Sequence, residues 1–347
     1  MLVLIITVFV SSDKNNGNAI KIGIITPLTG GSAYFGESTK IGIKLAEAEL
    51  KKENINVSFI VEDGQLDPKV ALSAAQKLVN VDHVYVIYSE FNPASISVAS
   101  FLKGKNVFHL YNSAAISPLS EGDNNFKTYL DYQTSCREVA EYLKDNKGIN
   151  KVGVLKINIE FGDMCVKGIK EVFGDNAIVN PYDPGSTDFK VGLSKLSAAN
   201  VDAIFNPAFK AETVTSLKQM KDLRINKLFV GLAETITPDV SESMGDYLQG
   251  DIFYGLPRVS SSLQEKIKEQ NGGKDVGDYN AAGSAYVNLV MLGRAANVCG
   301  SDSTCVAKEL GKATPNSDIG FEGFFNRIAK FNTLISEWRG NQLVDVK

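Results

Sequence analysis

Thr29-Gly30-Gly31-Ser32 follows the apolar run Ile20-Lys21-Ile22-Gly23-Ile24-Ile25 and leads through the aromatic pair Tyr34-Phe35 into a helical pattern with Ile41, Leu45 and Ala48 on one face. A strand that ends in a glycine-rich loop and feeds a helix aims backbone N–H groups at whatever lies above the carboxyl edge of the sheet. The loop is not a nucleotide cradle: neither GxGxxG nor GxxxxGK[ST] fits Thr29 to Gly36, and the lysine that reaches phosphates is missing. There is no GxSxG elbow, and no His-centred triad is expected. The only histidines, His83 and His109, have no cysteines or carboxylates at ligand spacing. Packed or surface imidazoles are therefore expected, with no metal site, no catalytic residue and no cofactor. The chemistry on offer is recognition of a solute.

Two further segments invite the same reading. Asn92-Pro93-Ala94-Ser95 follows an apolar run, and Asn at a cap with Pro at the first helical position makes a good helix start by itself. Glu234, in Gly231-Leu232-Ala233-Glu234-Thr235, reads by itself as a solvated loop carboxylate. Of the four cysteines, Cys299 and Cys305 bracket a short polar loop and suit a disulfide in an oxidising compartment. Cys136 and Cys165 are left open between a second bond and buried thiols.

The elements that must position these residues alternate. Strand candidates are Val57 to Val61, Val84 to Tyr88, Val107 to Leu110, Val152 to Leu155, Ala177 to Asn180, Val201 to Asn206, Leu228 to Gly231 and Ile252 to Gly255. Amphipathic stretches separate them, as at Val70, Ala74, Ala75 and Leu78 or at Val166, Ile169 and Val172. Such alternation means βαβ units, parallel sheets and an α/β fold. The alternation breaks near Phe126 to Tyr132, restarts at Ser135, and gives way after Gly255 to a long helix, Tyr279 to Val298, and a strand-rich end. At 347 residues the chain is long enough for two lobes.

Composition is that of a globular protein, 44% hydrophobic and 22% charged, and a net charge of -4 with no clustered Lys and Arg argues against a nucleic-acid surface. Met1 to Val10 is apolar but far short of the roughly 20 residues of a membrane span. With the polar stretch Ser11 to Asn18 behind it, residues 1–18 are expected to be a signal or leader remnant, the alternative being a hydrophobic N-terminal strand.

Several motifs carry a family resemblance. Ile20 to Ile24 with Pro27-Leu28-Thr29-Gly30, Tyr34-Phe35-Gly36 and Gly42-Ile43-Lys44-Leu45-Ala46 resembles the opening of the Leu/Ile/Val-type solute-binding proteins of ABC importers, of periplasmic-binding-protein fold type I. Glu62-Asp63-Gly64-Gln65-Leu66-Asp67-Pro68 is similar to that family's acidic turn, and Val84 to Ile87, Ser113 to Leu119 and Phe161-Gly162-Asp163 follow in order. The resemblance implies two Rossmann-like lobes joined by a three-strand hinge. Residues 19–130 plus 254–328 would form lobe 1, residues 131–253 plus 329–347 lobe 2, with crossovers near Tyr129 to Asp131, Ile252 to Gly255 and Ile328 to Phe331.

It also implies a set of ligand contacts. Asn92 stands where the family usually has a serine, and Ala114 and Ile116 lie on its carboxylate-and-ammonium loop. Ile116 replaces an expected threonine, with Ser113 and Ser117 beside it. Phe161 and Phe209 stand where tyrosines are usual, and Tyr34 and Phe35 fill the aromatic position of the first loop. Glu234 meets the ammonium after a slip of one residue, because Ala233 takes the acidic position. The implied function is an extracytoplasmic, monomeric binding protein that delivers a branched-chain amino acid or similar solute to an ABC permease by closing its cleft. A ligand-sensing receptor component of the same fold is the alternative, and an α/β enzyme a more distant one.

Overall fold

The computed structural model describes residues 19–347, so the leader expected at residues 1–18 lies outside the described residues. Two seven-stranded sheets organise the chain. The first begins with β1 (Ile20–Thr26), β2 (Val57–Asp63), β3 (Val86–Glu90), β4 (Phe108–Asn112) and β5 (Asn125–Lys127), joined through α1 (Ala33–Lys52), α2 (Pro68–Asn80) and α3 (Asn92–Leu102). The second holds β6 (Val152–Ile157), β7 (Ala177–Tyr182), β8 (Ala203–Asn206), β9 (Leu228–Leu232) and β10 (Ile252–Gly255). Around these strands lie α4 (Tyr132–Lys147), α5 (Glu160–Phe173), α6 (Lys190–Ala198), α7 (Lys210–Asp222) and α8 (Pro238–Met244). The chain then returns through α9 (Ser261–Gln270), α10 (Tyr279–Cys299) and α11 (Ser303–Leu310) to β11 (Phe321–Phe325) and β12 (Ile328–Phe331) of the first sheet. It ends with β13 (Leu334–Arg339) and β14 (Gln342–Asp345) in the second.

Burial explains why these runs are strands. Ile22, Ile24 and Ile25 of β1 have no exposed surface, as expected of a central parallel strand covered by helices on both faces. The orders are β11-β12-β5-β4-β3-β1-β2 and β14-β13-β10-β9-β8-β6-β7, so both sheets repeat one doubly wound plan. β12 runs parallel to β5, while β13 and β14 close the second sheet antiparallel. The chain passes between sheets at residues 128–131, 256–260 and 332–333. Sheet membership therefore carries Ile252–Gly255 wholly into the second sheet and Ile328–Phe331 wholly into the first. The second and third switches fall a few residues later than the motifs suggest.

Three local readings change. The strand expected at Val84 to Tyr88 starts at Val86, because the Val84 N–H closes the end of α2 on the Leu78 carbonyl (3.0 Å) and His83 takes φ +58°. It consequently runs on to Glu90. On α1 Ile41 is buried and Leu45 half-buried as expected, but Ala48 is exposed, and Thr39, Ile43, Ala46 and Leu50 are buried too, because α10 as well as the sheet covers this helix. The contact is close: a Cβ at Gly42 would come within 2.3 Å of the Ala282 carbonyl oxygen. Finally, both cysteine pairs are bonded. Cys299–Cys305 joins α10 to α11, and Cys136–Cys165 joins α4 to α5.

The approach at Gly42 generates a test. Backbone cannot yield as a side chain can, so Gly42→Ala is expected to cost about 1–3 kcal/mol by overpacking. Urea unfolding of the variant reads this directly, and an unchanged midpoint would mean that α1 and α10 are not in contact there.

Candidate binding cleft

In doubly wound sheets, ligands sit outside the carboxyl ends of the strands, where the strand order reverses. Here the reversals lie between β1 and β3 in the first sheet and between β6 and β8 in the second. The crossovers leave from the carboxyl ends of β5, β10 and β12, so the carboxyl ends of both sheets face one another. The residues that follow β1, β3, β6, β8 and β9 therefore meet across one cleft.

On the first lobe Asp63, at the end of β2, fixes the loop after β1 by accepting the Leu28 N–H (2.8 Å) and the Thr29 hydroxyl. Tyr34 and Phe35 then fall in the first turn of α1 with ring centroids 4.1 Å apart, Tyr34 half-exposed. Phe91, which the sequence reading missed, meets Phe35 edge to face at 5.0 Å. Its φ of +67° with ψ of 153° belongs to a region that is almost glycine's alone and costs a side chain about 1–3 kcal/mol. Its N–H bonds the Asn112 carbonyl and its own carbonyl takes the Ser95 N–H and hydroxyl, so neighbours on both sides hold the conformation.

Asn92 does not cap its own helix. Its Oδ1 accepts the Ala115 N–H at 3.0 Å, which ties α3 to the loop carrying Ser113, Ala114, Ile116 and Ser117. Ala114 packs against the core of the second lobe, and Ser113 is buried with an unpartnered Oγ. From the second lobe, Glu160 at the start of α5 reaches across to this loop. Its carboxylate accepts the N–H groups of Ile116 (3.2 Å) and Ser117 (3.0 Å).

Aromatic rings run from the hinge into the second lobe. Tyr129 lies 6.4 Å from Tyr132, Tyr132 stacks on Phe161 at 4.9 Å, and Phe161 meets Phe209 edge to face at 5.6 Å. Phe161 is 3% exposed and mostly core, whereas Phe209, just before α7, is 53% exposed. Glu234 follows β9 and receives the Tyr129 hydroxyl at 3.5 Å. It also stands beside the end of β10, where a Cβ on Gly255 would lie 3.4 Å from its Oε2.

Three carboxylates share this region without an ion pair: Glu90, Glu234 and Asp278. Glu90, 4% exposed, accepts the hydroxyls of Thr26 (2.6 Å), Thr39 (2.9 Å) and Tyr88 (3.0 Å), and burial, then Asp278's charge, push its pKa up to about 7. Glu234 is also raised to about 7, by the protein around it and then by Asp278, although water reaches it and tempers the effect. Asp278 caps α10 through the Ala281 N–H (2.8 Å), donates its own N–H to Ser38 Oγ (3.0 Å), and is itself raised by burial. The nearby buried ammonium, Lys127, donates to the Leu130 carbonyl (2.6 Å), and burial lowers its pKa to about 8 despite Asp131 and Glu160. Glu90 and Asp278 could have been suspected from a carboxylate ending an apolar run and an Asp preceding a long helix. Phe91 carried no signal, since glycine is the residue expected at such a φ.

The expectation of no His-centred triad needs correction in its geometry. Ser89 Oγ lies 2.8 Å from His109 Nε2, and Asn125 Oδ1 lies 2.8 Å from Nδ1. Burial lowers the imidazole to about 4, so at neutral pH it is uncharged, donating from Nδ1 and accepting from Ser89. Ser89 and His109 have no exposed surface, and the relay serves to tie β3, β4 and β5 together. A separate groove of about 390 Å³ between α1, α9 and α10 has the charged walls Glu49, Lys52, Lys266 and Glu269 and lies outside the cleft.

Comparison with known proteins follows the geometry. A family model described as periplasmic binding protein matches residues 19–345. Leu/Ile/Val-binding protein homolog 2 of Brucella abortus is 26% identical over 322 residues, 87% of this chain and 86% of that protein. The leucine-, isoleucine-, valine-, threonine-, and alanine-binding protein of Pseudomonas aeruginosa is 22% identical over 344 residues, covering 92% and 90%. Among solved structures, a leucine binding protein from Thermotoga maritima superposes with a TM-score of 0.78 at 19% identity, covering 95% of this chain and 98% of that one. A solute binding protein from R. palustris in complex with 4-hydroxybenzoate gives 0.80 at 19% identity, with 95% and 96% covered.

The raised carboxylate makes stability depend on pH with a definite sign. With a folded pKa near 7 against 4.5 unfolded, Glu90 binds more protons in the native state, so stability falls as pH rises between those values. Its share amounts to about 3 kcal/mol at most, and Glu90→Gln is expected to remove it. Urea unfolding at pH 5 and pH 8 checks this; a pH slope as steep in the variant as in the parent contradicts it.

Proposed function

Because the chain belongs to the periplasmic binding protein family, whose members bind small solutes, we propose that it is the extracytoplasmic binding component of an ABC importer that closes its two lobes on a small amino-acid-like solute. The carrying observation is the contact of side chains from both lobes at one cleft. Glu160 bonds the loop of the first lobe, and Tyr129 at the hinge bonds Glu234 of the second. Closure can be driven only by contacts that differ between the open and closed states, and in this reading these contacts form as the lobes close.

In this reading Glu234 takes the solute's amino group. Tyr34, Phe35 and Phe209 form the apolar walls, with Phe161 behind Phe209. Asn92, Ser113, Ala114 and Ile116 form the floor on the first lobe. The lobes divide near residues 130, 255 and 331, and the molecule acts as a monomer that presents its closed form to a membrane permease. Export fits the two disulfides, which persist in oxidising compartments. Among the described residues no helix is long and apolar enough to cross a membrane.

A solute that binds only the folded chain raises its melting temperature, so a thermal-shift screen of amino acids, amides, short acids and sugars tests the reading. Phe209→Ala, at an exposed ring, is expected to weaken the best hit by about tenfold, the order of one well-buried aromatic contact, with little change in the melting temperature of the protein alone. An unchanged affinity removes Phe209 from the wall.

A further inference from the structure

Resting on the solute-binding reading, we propose that this cleft selects an organic cation: an amine with an apolar body and no free carboxylate at its head. The first support is that a pair of backbone donors suited to a carboxylate is already engaged. The N–H groups of Ile116 and Ser117 are held by Glu160 from the opposite lobe, in the arrangement a solute carboxylate would need. A carboxylate-bearing solute must displace Glu160, and with it an interlobe contact of the closed state.

The second support is uncompensated negative charge. Among the described residues Glu90, Glu234 and Asp278 have no Lys or Arg partner within ion-pair distance, and Lys127, the buried ammonium at the hinge, feels Asp131 and Glu160 instead. Among the described residues no three His, Cys, Asp or Glu gather closely enough to hold a metal ion. The charge is spread along the cleft and suits a larger organic ion. Glu90 is the buried member of the three, Asp278 being half-buried and Glu234 exposed; burying a carboxylate unpaired is costly, and a cation relieves that cost.

The third support is the character of the walls. Tyr34, Phe35 and Phe91 on one side and the exposed Phe209 on the other supply aromatic rings, which attract alkylammonium groups through their quadrupoles. The strained backbone at Phe91 holds one of these rings in place. At the carboxyl end of β4, the Tyr111 hydroxyl and Ser113 Oγ are buried without partners, and Tyr111 is near enough to Glu160 to feel its charge. Each hydroxyl oxygen can accept an ammonium N–H while its own hydrogen remains free to donate.

Isothermal titration of the full purified chain with four probes of one skeleton tests the proposal: leucine amide, 3-methylbutylamine, leucine and 4-methylpentanoate. The two cations are expected to bind at least about tenfold tighter than leucine, the worth of one charge-assisted hydrogen bond, and 4-methylpentanoate not at all. Glu160→Ala frees the Ile116 and Ser117 donors and is expected to narrow the gap between leucine amide and leucine several-fold. Leucine binding as tightly as its amide, or an unchanged gap in Glu160→Ala, overturns the proposal and leaves the solute-binding reading standing. Failure of these four and of the wider thermal-shift panel overturns both.

Discussion

Everything in this molecule follows from one geometric constraint: two parallel sheets turn their carboxyl ends toward each other across three short crossovers. A parallel strand must be followed by a loop and a helix before the next strand can begin, so the loops of both sheets collect on the facing edges. Helix starts collect there too, and so do the side chains at the first helical positions, among them Tyr34, Asn92, Glu160 and Lys210's neighbour Phe209. The cleft is the place where the topology leaves backbone and side chains without regular partners. Solute recognition occupies that place.

The electrostatics follow from the same constraint. Glu90 ends a fully buried strand, Asp278 caps a helix laid against α1, and Glu234 opens the turn after β9, so the three arrive from unrelated parts of the sequence. Each has a local reason to be present: three hydroxyl donors for Glu90, a cap for Asp278, the Tyr129 hydroxyl for Glu234. None has a cation. Their mutual repulsion across a region of reduced solvation is what a bound positive charge would relieve, and it makes the ligand's charge a consequence of the fold rather than of any single contact.

The α/β plan was legible because it rests on local signals. Apolar runs of strand length alternated with helical periods, and eight of the strands between Val57 and Gly255 lie within two residues of where those runs place them. Cys299 and Cys305 were legible because they stand six positions apart. The placing of Tyr34 and Phe35 at the start of α1 was readable from the loop that precedes them. What the sequence concealed is long-range. Glu160 meets Ile116 only because the lobes face each other, Tyr129 meets Glu234 only because a crossover carries it there, and Glu90 nears the cleft because it is the last residue of β3. Phe91 was hidden for another reason. Its backbone contradicts its residue type, and its neighbours sustain that conformation.

The most direct measurement is the identity of the solute the protein carries: native mass spectrometry of the purified full chain, followed by release and analysis of any bound molecule. Release of a nitrogen base that is positively charged at neutral pH and lacks a free carboxylate is the expected result. Release of a carboxylic acid, a zwitterionic amino acid or a sugar would contradict the account of how this cleft chooses its solute.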